Sequence, residues 1–225
     1  VLIIQCLVFA DGGLLALGCN IINMAATSCL IAYPLLFKPI AGHTYKAWRM
    51  IAASVTASIF ALEAGALGVT LETEISGITA LPTSTFLAFM LPIHLVIGAI
   101  EGVATAAALC FIGRYRPQTL YSYSNNGTRT SKSSRKVILG FIIGAIVFAS
   151  TFTWIASSAP DGLEWSIART SGITDMPSKV VPTAIMPDYN STLAGIIGAT
   201  IVMIMLWAIS TLLFHRLHPQ RSNKN

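Results

Sequence analysis

The sequence predicts an all-α fold: a polytopic transmembrane helix bundle of about five full spans plus a truncated first helix. Three observations predict it. Mean hydropathy is +0.71. Only 10% of the residues are charged, against roughly 25% in a soluble domain, too few to cover the surface of a soluble protein of this length. Six apolar runs follow one another, and five reach the about 20 residues that a membrane-crossing helix needs. Helices are the default for such runs, because lipid offers the backbone no other hydrogen-bond partner.

The first run, residues 1–10, is too short to span. No basic stretch or small-residue cleavage site marks it as a signal peptide. It reads as the end of a helix whose start lies ahead of Val1. The spanning runs are residues 14–37, 47–71, 86–112, 137–157 and 192–214. Gly12, Gly13, Pro39, Pro82 and Pro117 stand at the joins, where helix breakers belong.

Charge placement sets the expected orientation. Lys38, Lys46 and Arg49 flank one loop; Arg114, Arg116, Arg129, Lys132, Arg135 and Lys136 fill the next loop on the same side; Arg216, Arg221 and Lys224 follow the last run. Twelve of the fourteen basic residues thus share one side with no acid among them. Asp11, Glu72, Glu74, Asp161, Glu164, Asp175 and Asp188 lie on the other. By the positive-inside rule the basic side, and with it the C-terminus, is cytoplasmic. The net charge of +5 is therefore a topology signal and does not imply a nucleic-acid partner; the expected surroundings are membrane lipid.

Residues 115–136, polar and rich in Ser and Asn, read as a cytoplasmic linker. They divide a membrane bundle, residues 1–114, from a helix–loop–helix membrane unit, residues 137–225. In the external loop of that unit, residues 158–190, only a short stretch near 162–169 reads as helix, and Asp161 and Glu164 favour its start. Cys6, Cys19, Cys29 and Cys110 all fall in apolar runs without CxxC spacing, which reads as packing. Gly98/Gly102, Gly140/Gly144 and Ala194/Gly198 have the small-xxx-small spacing that lets helices approach closely.

Inside the apolar runs the only acids are Glu63 and Glu101, and they are joined by His94. Ionisable groups at membrane depth usually face a cavity or a partner. Counting from residues 71 and 86, Glu63 and His94 both lie about 12 Å below the outer surface. Asn20, Asn23 and Met24 lie roughly 9–15 Å deep on the same count. Imidazole, carboxylate, amide and thioether together suit a divalent transition metal. The same residues also suit plain structural bonding: His94 to a backbone carbonyl, Glu63 to His94, and the asparagines between helices. Glu101 shares the His94 face about 10 Å deeper, as a station on an ion path, a subunit contact or an internal hydrogen-bonder. No nucleophile, P-loop or HExxH motif is present, so an enzyme is not expected.

Four motifs carry a resemblance. DGGLLALGCNIINMA at 11–25 resembles the GGLxxLGANxxNMA segment of the cobalt/nickel substrate-capture component of energy-coupling factor transporters, the CbiM/NikM family. ALEAG at 61–65 and HLVIGAIEG at 94–102 resemble that family's ALE and H-x3-G-x2-E helices. PDGLEW at 160–165 (Pro160, Asp161, Gly162, Leu163, Glu164, Trp165) resembles the hallmark of its small companion subunit, CbiN/NikN-like, fused behind it.

The resemblance implies a multi-pass subunit of a prokaryotic plasma membrane that captures Co2+ or Ni2+ as cargo and holds no cofactor. A transmembrane coupling subunit and cytoplasmic ATPase subunits would drive uptake. It also implies that the principal metal ligands, a Met-His start and a further histidine, precede Val1, so that this chain alone binds metal poorly. Asn20, Asn23, Glu63, His94 and Glu101 match family motifs. The alternative expectation is a non-transporting membrane scaffold or regulatory subunit.

Overall fold

A computed structural model of the chain describes residues 1–9, 12–43, 45–77, 81–115, 120, 143–144, 147, 160–172 and 192–217. Every ordered element among them is helical. The helices are α1 (Leu2–Phe9), α2 (Leu17–Ala41), α3 (Ala47–Ser76), α4 (Thr83–Tyr115), α5 (Gly162–Ser171) and α6 (Thr192–Leu217). Among the described residues three helices are long and apolar enough to cross a membrane, α2, α3 and α4. The expected fifth run, 137–157, and the linker, 115–136, lie almost wholly outside the described residues.

The chain forms two compact units. One comprises Gly18–Ser131 and Ala159–Lys179 and so holds α2 to α5; the other comprises Val1–Leu17, Lys132–Ser158 and Val180–Asn225. In the second, the Phe9 ring of α1 lies where a Cβ at Gly198 of α6 would stand, 3.0 Å from that point, and Ile201 and Val202 pack on the same cluster.

In the α2–α5 unit alanines make up much of the interior, beside Met50, Phe86 and Met90, and many large apolar residues lie outside. Ala32, Ala53, Ala61 and Ala66 are buried, while Leu30, Leu35, Leu67 and Ile100 are exposed. That inversion fits a helix bundle whose outer face meets lipid, because tails as apolar as leucine leave close packing to hold the helices. The tightest crossing is between α3 and α4. A Cβ at Gly98 would lie 2.9 Å from the Ile59 Cα, and one at Gly102 would lie 2.5 Å from the Val55 Cα. The Gly98/Gly102 spacing is thus where these two backbones meet.

The helices run past their apolar cores. α3 continues to Ser76 and ends on Gly77, whose φ of 63° is left-handed. α4 begins at Thr83, whose hydroxyl donates to the Glu74 carboxylate across the turn. Polar residues at both ends hold helical geometry in the interfacial layer, which hydropathy alone does not register. At about 1.5 Å per residue, Glu63 therefore lies about 20 Å from the end of α3, and His94 about 17 Å from the start of α4.

α2 is not a plain α-helix: residues Ile21–Phe37 have π register, flanked by short α turns. The Lys38 N–H donates to the Tyr33 carbonyl and the Thr27 hydroxyl to the Ile22 carbonyl at 2.9 Å, both five residues back. Pro34 supplies a local reason: it has no N–H to donate, and in α geometry its ring would crowd the carbonyl of Leu30. The buried residues Asn23, Thr27 and Ala32 recur at spacings of four and five, matching the wider turn.

Candidate functional site

Helix α3 carries two polar groupings on different faces. At about 100° per residue, Glu63, Ala66 and Thr70 share one face, and Gly65, Gly68 and Glu72 share another about 160° away. The first meets α4; the second meets α2.

On the α4 side, His94 Nδ1 lies 2.8 Å from the Met90 carbonyl oxygen one turn back. A carbonyl only accepts, so Nδ1 carries a proton, and in the neutral ring Nε2 is the nitrogen with the lone pair. Glu63 is close enough to His94 for a Coulombic attraction. Its Oε1 is fully buried and has no hydrogen-bond partner among the described residues. The imidazole therefore stands near a half-buried carboxylate, one of whose oxygens is buried and unbonded.

Helix α5 lies against His94, and the PDGLE residues explain how. Asp161 is the N-cap, with extended backbone, and its carboxylate accepts from the Glu164 N–H at 2.8 Å. Glu164 itself sits in the first turn, where the helix end is positive. Gly162 brings the backbone against the imidazole: a Cβ there would lie 3.0 Å from His94 Cε1, 3.0 Å from Ile97 Cδ1 and 3.4 Å from His94 Nε2. Leu163 and Ile167 pack on the Ala66, Phe86 and Met90 core, and Trp165 meets the Phe89 ring edge-on at 5.7 Å. Arg169 lies 5.5 Å from the Trp165 ring, and Gly172 closes the helix with φ 71°.

On the α2 side, Asn23 is buried and its Nδ2 donates to Glu72 Oε2 at 3.0 Å. Gly65 and Gly68 make room for it: a Cβ at Gly65 would lie 3.0 Å from the Asn23 carbonyl oxygen, and one at Gly68 would strike its side chain.

The structure thus brings Glu63 and His94 together, as their common depth suggests, and seats Gly162 beside them. It places Asn23 elsewhere, with Glu72. Met24 is 56% exposed on the outside of α2, Asn20 is half-buried, and Glu101 is exposed further along α4. Among the described residues no three His, Cys, Asp or Glu side chains converge. Sequence reasoning allowed Asn23 as a hydrogen-bonder between helices without naming Glu72 as its partner, and it did not single out the Gly162–His94 contact. Gly65 and Gly68, spaced to line one face of a helix, were the signal for the first.

The model of the CbiM family, the cobalt uptake substrate-specific transmembrane region, matches residues 1–119, and that of the PDGLE domain matches residues 135–215. The chain belongs to the CbiM family. A PDGLE domain follows its CbiM region in the same chain. It is 30% identical over 93% of its length to a candidate fused nickel transport protein, NikMN, of Archaeoglobus fulgidus, covering 69% of that protein. It is 32% identical over 56% of its length to a candidate metal transport protein of Haloquadratum walsbyi, and 33% identical over 53% to the cobalt transport protein CbiM of Sorangium cellulosum. The chain spans about half the length of these last two, 55% and 53%. No solved structure matches it.

Proposed function

We propose that this CbiM-family chain is the membrane subunit that captures divalent nickel or cobalt for an energy-coupling factor importer. The observation that carries the reading is the His94–Glu63 pair, an imidazole against which the PDGLE helix lies and a half-buried carboxylate with one buried, unbonded oxygen. Imidazole and carboxylate both bind first-row divalent ions, and an imidazole anchored through its other nitrogen is the usual ligand form. The names of the relatives, nickel and cobalt transport proteins, point to the same cargo.

In this reading the chain spans a prokaryotic plasma membrane about five times, with its C-terminus in the cytoplasm. A bundle over 1–114, a linker over 115–136 and a PDGLE unit over 137–225 make up its parts. A transmembrane coupling subunit and ATPase subunits supply the energy, and this chain hydrolyses nothing. The PDGLE helix braces the pair and contributes no ligand itself.

Radiolabelled nickel and cobalt accumulation in cells carrying the intact transporter tests this. Glu63→Gln and His94→Gln should each lower uptake about tenfold or more, the scale on which groups around a metal act. A second reading has its own support: two converging donors are fewer than the three or four protein ligands common in metal sites. If both variants accumulate metal like the parent, the chain is a scaffold or regulatory subunit.

A further inference from the structure

The face of α4 that receives α5 continues past it. At about 100° per residue, Met90, His94, Ile97, Glu101, Ala104 and Ala108 all fall within about 80° of one another. Leu163 and Ile167 of α5 pack on the cluster that holds Met90, and Gly162 stands against His94 and Ile97. Beyond Ile97 the same strip lies open: Glu101, Ala104 and Ala108 are exposed. Elsewhere α4 turns large side chains outward, among them Val96, Ile100 and Val103. The alanines at 104 and 108 instead leave room for a second backbone to come close.

Glu101 stands deep in the apolar run of a helix long enough to span. By residue count it lies about 22 Å from Phe86 and about 16 Å from Ile112, the ends of that run. Both are well inside a hydrocarbon layer roughly 30 Å thick, and a glutamate side chain is too short to reach the headgroups from there. Among the described residues its carboxylate has no hydrogen bond or ion pair. A charge at such depth is costly, and it persists where another group compensates it.

This chain holds no cation to meet it. All fourteen Lys and Arg residues lie outside the apolar runs or within a few residues of their ends. Of the histidines only His94 lies inside a run, about 10 Å from Glu101 along α4, and it is engaged by the Met90 carbonyl and Gly162. Neither another segment of the chain nor a second copy can therefore bring a Lys or Arg to that depth, and lipid tails carry no charge. We propose that the open strip around Glu101 docks a membrane-crossing helix of a different polypeptide, which presents an arginine or lysine to the carboxylate. Ala104 and Ala108 seat that helix, on the face whose outer part α5 already occupies.

The test uses the full chain in membranes of cells that express it with its native partner subunits, without added metal. The photo-cross-linker benzoylphenylalanine is placed at position 104 or 108, and at position 103 on another face as a control, and adducts are identified by mass spectrometry. Positions 104 and 108 should join a spanning segment of a different polypeptide that carries Arg or Lys within it, and position 103 should not. Glu101→Gln should lower co-purification of that polypeptide roughly tenfold, the loss expected from truncating one partner of a desolvated ion pair. Glu101→Arg should abolish it, and exchanging the partner's basic residue for glutamate should restore it. The unfolding midpoint of the isolated chain should not fall in Glu101→Gln, because the carboxylate has no partner within it. Adducts with lipid alone, with α1 or α6 of the same chain, or with a second copy overturn the proposal. So does unchanged co-purification in a folded Glu101→Gln chain, or a charge exchange that restores nothing. Association is read here without metal, so this outcome and that of the nickel uptake assay are separate results.

Discussion

His94 and Gly162 form a pair in which one residue acts through what the other lacks. The imidazole is anchored by the Met90 carbonyl, and the absence of a Cβ at Gly162 lets α5 lie against its Cε1–Nε2 edge. Gly162→Ala places a carbon 3.0 Å from Cε1, tighter than ordinary contact, so ring or helix must move. We expect nickel uptake by the intact transporter to fall about tenfold, as displaced groups around a metal do, with the protein still folded. Unfolding midpoint and uptake measured side by side separate the two effects.

At the scale of the helix, α5 owes its start to Asp161 and its tightness to Gly162. Asp161→Ala removes the cap and should cost about 1 kcal/mol of helix stability. Hydrogen exchange should then quicken in residues 162–171 while α3 stays protected. The α3–α4 crossing predicts a different loss. Gly102→Ala would set a Cβ 2.5 Å from the Val55 backbone, and overpacking of that kind costs about 1–3 kcal/mol. A lower unfolding midpoint in detergent checks it. Much at this scale was legible in the sequence. Hydropathy located α2, α3 and α4, the acids at 161 and 164 marked the start of α5, and the Gly98/Gly102 spacing marked a crossing. The helix ends were not legible, because Ser76 and Thr83 keep helical geometry outside the apolar core. Nor was the π register of Ile21–Phe37, since a hydropathy run has no period when nearly every residue in it is apolar.

Across the α2–α5 unit, the site was legible only in depth. Counting residues from the surface put Glu63 and His94 at one level, because depth is a property of each helix alone. Which face each residue occupies depends on partners far along the chain. Asn23 and Glu72 are 49 residues apart, and Gly162 is 68 residues beyond His94. The Asn23–Glu72 bond carries its own prediction: Glu72→Ala leaves a buried amide unsatisfied and should cost about 1–3 kcal/mol. Loosened contact between α2 and α3 would appear as faster cross-linking of cysteines placed along them.

The two polar faces of α3 have a mechanical consequence. Glu63 faces α4, while Gly65, Gly68 and Glu72 face α2, and all four residues ride on one unbroken rod. The rod behaves like a camshaft whose lobes point nearly opposite ways. Turning it to carry the Glu63 carboxylate away from His94 must also swing Glu72 off Asn23. A motion that discharges one face is thus resisted by the bond on the other, and Asn23 becomes a latch on a site it never touches.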